Sequence, residues 1–208
     1  MSLLIYFETN WILGAVLGQD LRAEELLASS KAEIELAIPS ICLMEAIITF
    51  HGKSDERERL ERELKLQISQ VERSRQIPLA QQLLAQLIQA SLTNDKLLNK
   101  FVQRLDDFLV RVARRAELIP LLSEAVELMV LLRHETETKL GRQDALILAC
   151  IITHSKEHQS AKRAFLTGNI HDFDVGPVRS LLEDNGVKFF SSTDRVLGWA
   201  SAARRSSS

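Results

Sequence analysis

Four acids and one amide are the residues whose types and positions in this sequence could do chemistry. Glu8 follows the apolar run LLIYF, Glu45 lies inside IPSICLMEAI, Asp144 opens GRQDALILACII, and Asn169 and Asp172 fall in FLTGNIHDFD. A carboxylate at the end of a buried apolar run is costly unless it is paired, hydrogen-bonded or bound to a metal. Oxygen ligands without His or Cys favour hard cations such as Mg²⁺ or Mn²⁺ over zinc. A cation held in this way lowers the pKa of a bound water and stabilises charge on a phosphodiester, so hydrolysis by in-line attack is the chemistry the set suggests. Its charge would also reconcile an acidic pocket with a polyanionic substrate.

Each of these residues has a plainer explanation as well. An acid near a helix start, as at Asp144, is favoured by the helix dipole alone. Glu45 could be a solvated helix residue, and Asn169 and Asp172 could be turn formers. Glu8 is the hardest to explain away. The sequence contains no GxGxxG or GxxxxGK[ST] phosphate loop and no GxSxG nucleophile elbow. His154 and His158 stand four apart, but HSKEH lacks the Glu directly after the first His that the zinc-protease pattern needs, so the pair reads as a solvated helix end.

The elements that must position the acids follow from the periodicity. LLIYF from Leu3, IELAI ending at Pro39 and RAFLT ending at Gly168 have the composition of short strands closed by turn chemistry. VKFF from Val187 is a fourth strand, and AELIPL around Ile119 a weaker fifth. Helical segments alternate with them, which predicts a parallel sheet covered by helices. In such sheets ligands bind outside the carboxyl ends of the strands, where the strand order reverses. The five candidates all fall at strand carboxyl ends or at the helix starts facing that edge.

Residues 53–115 depart from the alternation. They contain no strand candidate and are highly charged, with Leu60, Leu64, Ile68 and Val71 on one helical face. The pattern predicts a helical hairpin broken at Pro78, as an insertion within one domain spanning 1–208. The hairpin is either a solvated pair packing its apolar stripe or a partner surface.

Composition sets wider bounds. At 208 residues and 46% hydrophobic the chain can bury a sizeable core, and a net charge of −2 means that any nucleic-acid site must be a local patch. Cys42 and Cys150 lie in apolar segments and read as small buried hydrophobes in a reducing compartment. The N-terminus lacks a basic region before its apolar run, and no apolar run approaches bilayer length. The expectation is a soluble cytoplasmic protein with no membrane partner.

Taken together, YFETN at the first strand, the Glu of IPSICLMEA, the QDALILA helix and FLTGNIHDF after a later strand resemble, in order, the motifs of the PIN-domain nuclease family. The resemblance implies a three-layer α/β/α sandwich on a five-stranded parallel sheet. It also implies an acidic cluster that binds Mg²⁺ or Mn²⁺ and cuts single-stranded RNA. Many members are VapC-like toxins of toxin–antitoxin pairs and many are homodimers, which makes an antitoxin and a second copy candidate partners. By the same resemblance Glu8, Glu45, Asp144, Asn169 and Asp172 are the catalytic and metal-binding residues, and Thr9, Asn10 and Thr167 orient them. Glu8 stands where the family has Asp, one methylene longer. The alternative expectation is a PIN-like module that has lost efficient catalysis and uses the helical insertion as its contact surface.

Overall fold

The structure is a computed structural model and describes residues 2–29, 34–135 and 140–205. The chain divides into two compact units, Met1–Ala46 with Phe108–Ser208, and Ile47–Asp107.

The first unit is built on β1 (Leu3–Phe7), followed by α1 (Thr9–Leu17), α2 (Ala23–Ser29), β2 (Ile34–Pro39) and the start of α3 (Ser40–Glu72). The end of α4 (Pro78–Arg115) leads to β3 (Glu117–Ile119), α5 (Ser123–Glu135) and α6 (Arg142–Glu157). Then come β4 (Lys162–Leu166), α7 (Ile170–Phe173), α8 (Gly176–Asp184), β5 (Val187–Phe190) and α9 (Thr193–Arg205). All strands pair in parallel, in the order β3-β2-β1-β4-β5.

Every residue of β1 is buried, which is why LLIYF reads as an unbroken apolar run and not as an alternation. Successive side chains leave a strand on opposite faces. On one face Tyr6 meets His154 of α6, and on the other Phe7 meets Trp11 of α1, with ring centroids 4.3 Å apart. Helices therefore cover both faces, giving the three-layer α/β/α sandwich. AELIPL supplies only the three-residue edge strand β3, and VKFF supplies the opposite edge. Gly186 turns the chain into β5 at φ +66°, a left-handed conformation that favours glycine.

The solvated helix end expected at His154 is not what forms. His154 is 7% exposed, because α6 is sandwiched between α5 and the sheet and has almost no free face at that turn. Cys42 and Cys150 are buried free thiols. Among the described residues no helix is long and apolar enough to cross a membrane.

In the second unit α3 and α4 run antiparallel, with Pro78 as the first residue of α4, where its missing N–H costs nothing. The seam is partly polar. Arg57 Nη1 donates to Asn94 Oδ1 at 3.2 Å, Asn94 Nδ2 donates back to the Arg57 carbonyl at 3.2 Å, and Ser91 Oγ donates to Glu61 Oε1 at 2.6 Å. Leu64, Ile68 and Val71 lie in the half-buried stripe as expected, but Leu60 is 47% exposed and Arg57 and Glu61 take the inward places beside it.

Candidate active site

The strand order reverses beside β1, because the chain moves outward through β2 and β3 on one side and through β4 and β5 on the other. The carboxyl ends of β1 and β4 therefore flank the switch point at which α/β sheets bind ligands. Glu8 ends β1 and Thr167 ends β4, and the two meet across that point. Thr167 Oγ1 donates to Glu8 Oε1 at 3.0 Å, and the backbone N–H of Asn10 donates to Glu8 Oε2 at 2.7 Å. The second bond makes Glu8 the N-cap of α1.

Glu8 is 2% exposed. Burial pushes its carboxyl up to about 7 against the pull of those two bonds, and the charges of Glu45 and Asp144 push the same way. A group whose charged form is opposed by burial and by like charges holds its proton until near neutrality.

Thr9 turns to a different partner. Its hydroxyl donates to Glu45 Oε2, with the Cys42 carbonyl 3.5 Å away. Glu45 sits in the first turns of α3 and is half-buried, and burial raises its pKa against the bonds from Thr9 and Gln143. Asp144 lies in the first turn of α6. Its carboxyl is pushed up to about 6 by burial first, then by the charges of Asp172 and Glu45. Asn169 and Asp172 follow β4 as a pair. Asn169 Nδ2 donates to Asp172 Oδ2 at 2.8 Å, and the Asn169 N–H donates to Thr167 Oγ1 at 2.9 Å. The bond from the Asn169 side chain and the one from His171 hold Asp172 below the usual carboxylate range.

The sequence candidates thus gather as two hydrogen-bonded chains, Asp172–Asn169–Thr167–Glu8 and Thr9–Glu45–Gln143, with Asp144 coupled to both by charge. The gathering is loose. Among the described residues the acid and histidine side chains whose ligand atoms all lie within 4.8 Å of one another are Glu117, His154 and His158, and not a trio of these edge acids. Like charges spread apart unless something positive lies between them.

Asn10 differs from the expectation for an orienting side chain. It serves Glu8 through its main-chain N–H, and its side chain is exposed. Gln143 was not singled out by sequence reasoning, and its only signal was its place beside Asp144 at a helix start.

The donor set consists of carboxylate oxygens and one amide, and among the described residues no Lys or Arg pairs with Glu8, Glu45 or Asp144. Mutually repelling acids without a cationic side chain fit a hard divalent cation.

Comparison with known proteins places this geometry in context. The PIN domain family model matches residues 5–173. The crystal structure of VapBC2 from Rickettsia felis bound to a DNA fragment from their promoter is similar at 19% identity and a TM-score of 0.46, covering 90% of this chain and 99% of that one. No curated protein matches the chain in sequence.

Proposed function

The chain belongs to the PIN-domain family, and from that premise we propose that it is a metal-dependent endoribonuclease cleaving single-stranded RNA. Glu8, Glu45, Asp144, Asn169 and Asp172 would hold Mg²⁺ or Mn²⁺. The observation that carries this reading is the meeting of Glu8 and Thr167 across the switch point, with Glu8 driven up to about 7 partly by the Glu45 and Asp144 charges.

The bound cation would supply charge neutralisation at the phosphodiester and a water of lowered pKa. The chain's own residues do the positioning. Thr167 and the Asn10 N–H fix both oxygens of Glu8, Thr9 and Gln143 fix Glu45, and Asn169 fixes Asp172. Protons compete with the cation at Glu8 and Asp144, so binding weakens as the pH falls through about 7 and then about 6.

The test is cleavage of a labelled single-stranded RNA with Mn²⁺ or Mg²⁺, run beside EDTA and Asp144→Asn. Cleavage that needs both the metal and Asp144 supports the reading. Activity unchanged by EDTA or by Asp144→Asn refutes it.

A toxin role with an antitoxin partner refines the same reading, and it predicts growth arrest on expression that Asp144→Asn relieves. The second reading is a PIN-like module with impaired catalysis. It is favoured by the 2% exposure of Glu8 and by the commitment of both its oxygens to protein donors. Its contact surface would be the second unit, where Ile77, Leu79 and Leu66 are 56%, 73% and 59% exposed, and the partner there a second copy or an antitoxin. Absence of cleavage together with absence of a thermal shift on adding Mn²⁺ would select this reading.

A further inference from the structure

At the far end of α6, ten residues and about 15 Å along the helix from Asp144, a different set of ligands comes together. Glu117 at the start of β3, His154 in the last turn of α6 and His158 at its C-cap bring ligand atoms within 4.8 Å of one another. The imidazole rings of His154 and His158 are 4.2 Å apart. Tyr6 and Glu117 share a row of the sheet, since both align with Ala37 of β2.

We propose that Glu117, His154 and His158 bind a divalent transition metal, Zn²⁺ by their chemistry, at a site separate from the acidic strand edge. Three observations converge on it. First, Nε2 of His154 and Nδ1 of His158 are buried and have no hydrogen-bond partner, although His154 is only 7% exposed. Buried polar atoms are normally satisfied, so two such atoms on adjoining rings leave room for a shared partner.

Second, the spacing of His154 and Glu117 suits a metal. Ligands about 2.0–2.1 Å from a tetrahedral ion lie roughly 3.3–3.4 Å apart, and His154 Nε2 is 3.3 Å from Glu117 Oε1. A proton shared between these two atoms would satisfy them but would leave His158 Nδ1 unpartnered, whereas one ion serves all three.

Third, the remaining nitrogen of His154 is held from behind. His154 Nδ1 lies 3.0 Å from the buried Tyr6 hydroxyl. The Tyr6 oxygen can accept from Nδ1–H, which leaves the lone pair on Nε2. Metal-binding imidazoles characteristically donate their second N–H in this way.

Arg163 is the cation felt at Tyr6, and it is opposed there by Glu117 and Glu157 and tied to the Ser155 carbonyl. Two imidazoles and a carboxylate are a borderline donor set that prefers Zn²⁺ to the hard ions suited to the strand edge. The side chain of Glu117 is 53% exposed, which leaves a fourth position open to water. The ion would clamp the three-residue edge strand β3 to the end of α6.

The experiment is calorimetric titration of the chelator-stripped full chain with Zn²⁺, repeated with Co²⁺ as a visible-absorption probe. Glu117→Gln and His158→Gln change side chains that are not fully buried, and His51→Gln, at an exposed histidine of α3, serves as the control. The wild type is expected to bind one Zn²⁺ here and to give a Co²⁺ spectrum of tetrahedral intensity. Each of the two site variants should weaken Zn²⁺ by at least ~10-fold and lose that spectrum, and Tyr6→Phe should weaken it ~10–100-fold. His51→Gln should leave both readouts in place. Failure of the wild type to bind Zn²⁺, or titrations of Glu117→Gln and His158→Gln that match the wild type, would overturn the assignment.

Discussion

Replacing Glu8 with Gln should make the metal-free protein more stable, and only above a definite pH. The carboxyl moves from an ordinary 4.5 to about 7 on folding. Between those values the folded state binds more protons than the unfolded one, so the wild type loses stability as the pH rises. At about 1.36 kcal/mol per unit, the full loss above pH 7 is about 3 kcal/mol. Gln carries no charge and escapes it. The amide can keep the existing bonds, its oxygen accepting from the Asn10 N–H and its NH₂ donating to Thr167 Oγ1. The gain should therefore be under about 1 kcal/mol at pH 5 and about 3 kcal/mol at pH 8.5. The assay is urea unfolding in EDTA at both pH values. With an m value of about 3 kcal/mol/M, the midpoint at pH 8.5 should rise by roughly 1 M. Destabilisation at pH 8.5, or a gain equal at the two pH values, would refute the premise that a buried charge sits at this strand end.

Two further perturbations probe what surrounds that charge. Thr167 is fully buried, and Thr167→Val removes both its donation to Glu8 and its acceptance from the Asn169 N–H. It should cost about 1–3 kcal/mol, with the larger loss at pH 8.5, where Glu8 is ionised, and urea titration at the two pH values would show this. In the second unit Asn94→Ala should cost about 1–3 kcal/mol by leaving Arg57 and its carbonyl without their partner, read as a lower urea midpoint of the helical signal. A change below about 0.5 kcal/mol would mean that the polar seam is solvated.

What could be read ahead of the structure follows the physics of each element. β1 was legible because a central parallel strand is buried on both faces and so must be apolar throughout. β3 was faint because an edge strand of three residues, two of them exposed, carries little apolar signal. The five site candidates could be placed at one edge because topology alone brings strand ends and helix starts together. Which atoms they use could not. Asn10 acts through its backbone, and Gln143 reaches Glu45 by a geometry that spacing does not encode. His154 looks solvated in its Ser-Lys-Glu-His context, while the burial of that turn is imposed by α5 and the sheet. Its period puts Leu60 in the hairpin seam, yet the seam favours the hydrogen-bonding set around Asn94.

Glu8 and Thr9 are adjacent in the chain but belong to different chains of hydrogen bonds, one passing to Thr167 after β4 and the other to Glu45 of α3. Consecutive Cα atoms are held about 3.8 Å apart by covalent bonds, so a single peptide unit acts as a ruler between the two halves of the site. Packing in the core can loosen without changing that length. Insertion of one residue between Glu8 and Thr9 would change it at once, separating the Glu8 carboxylate from the one that Thr9 holds on Glu45.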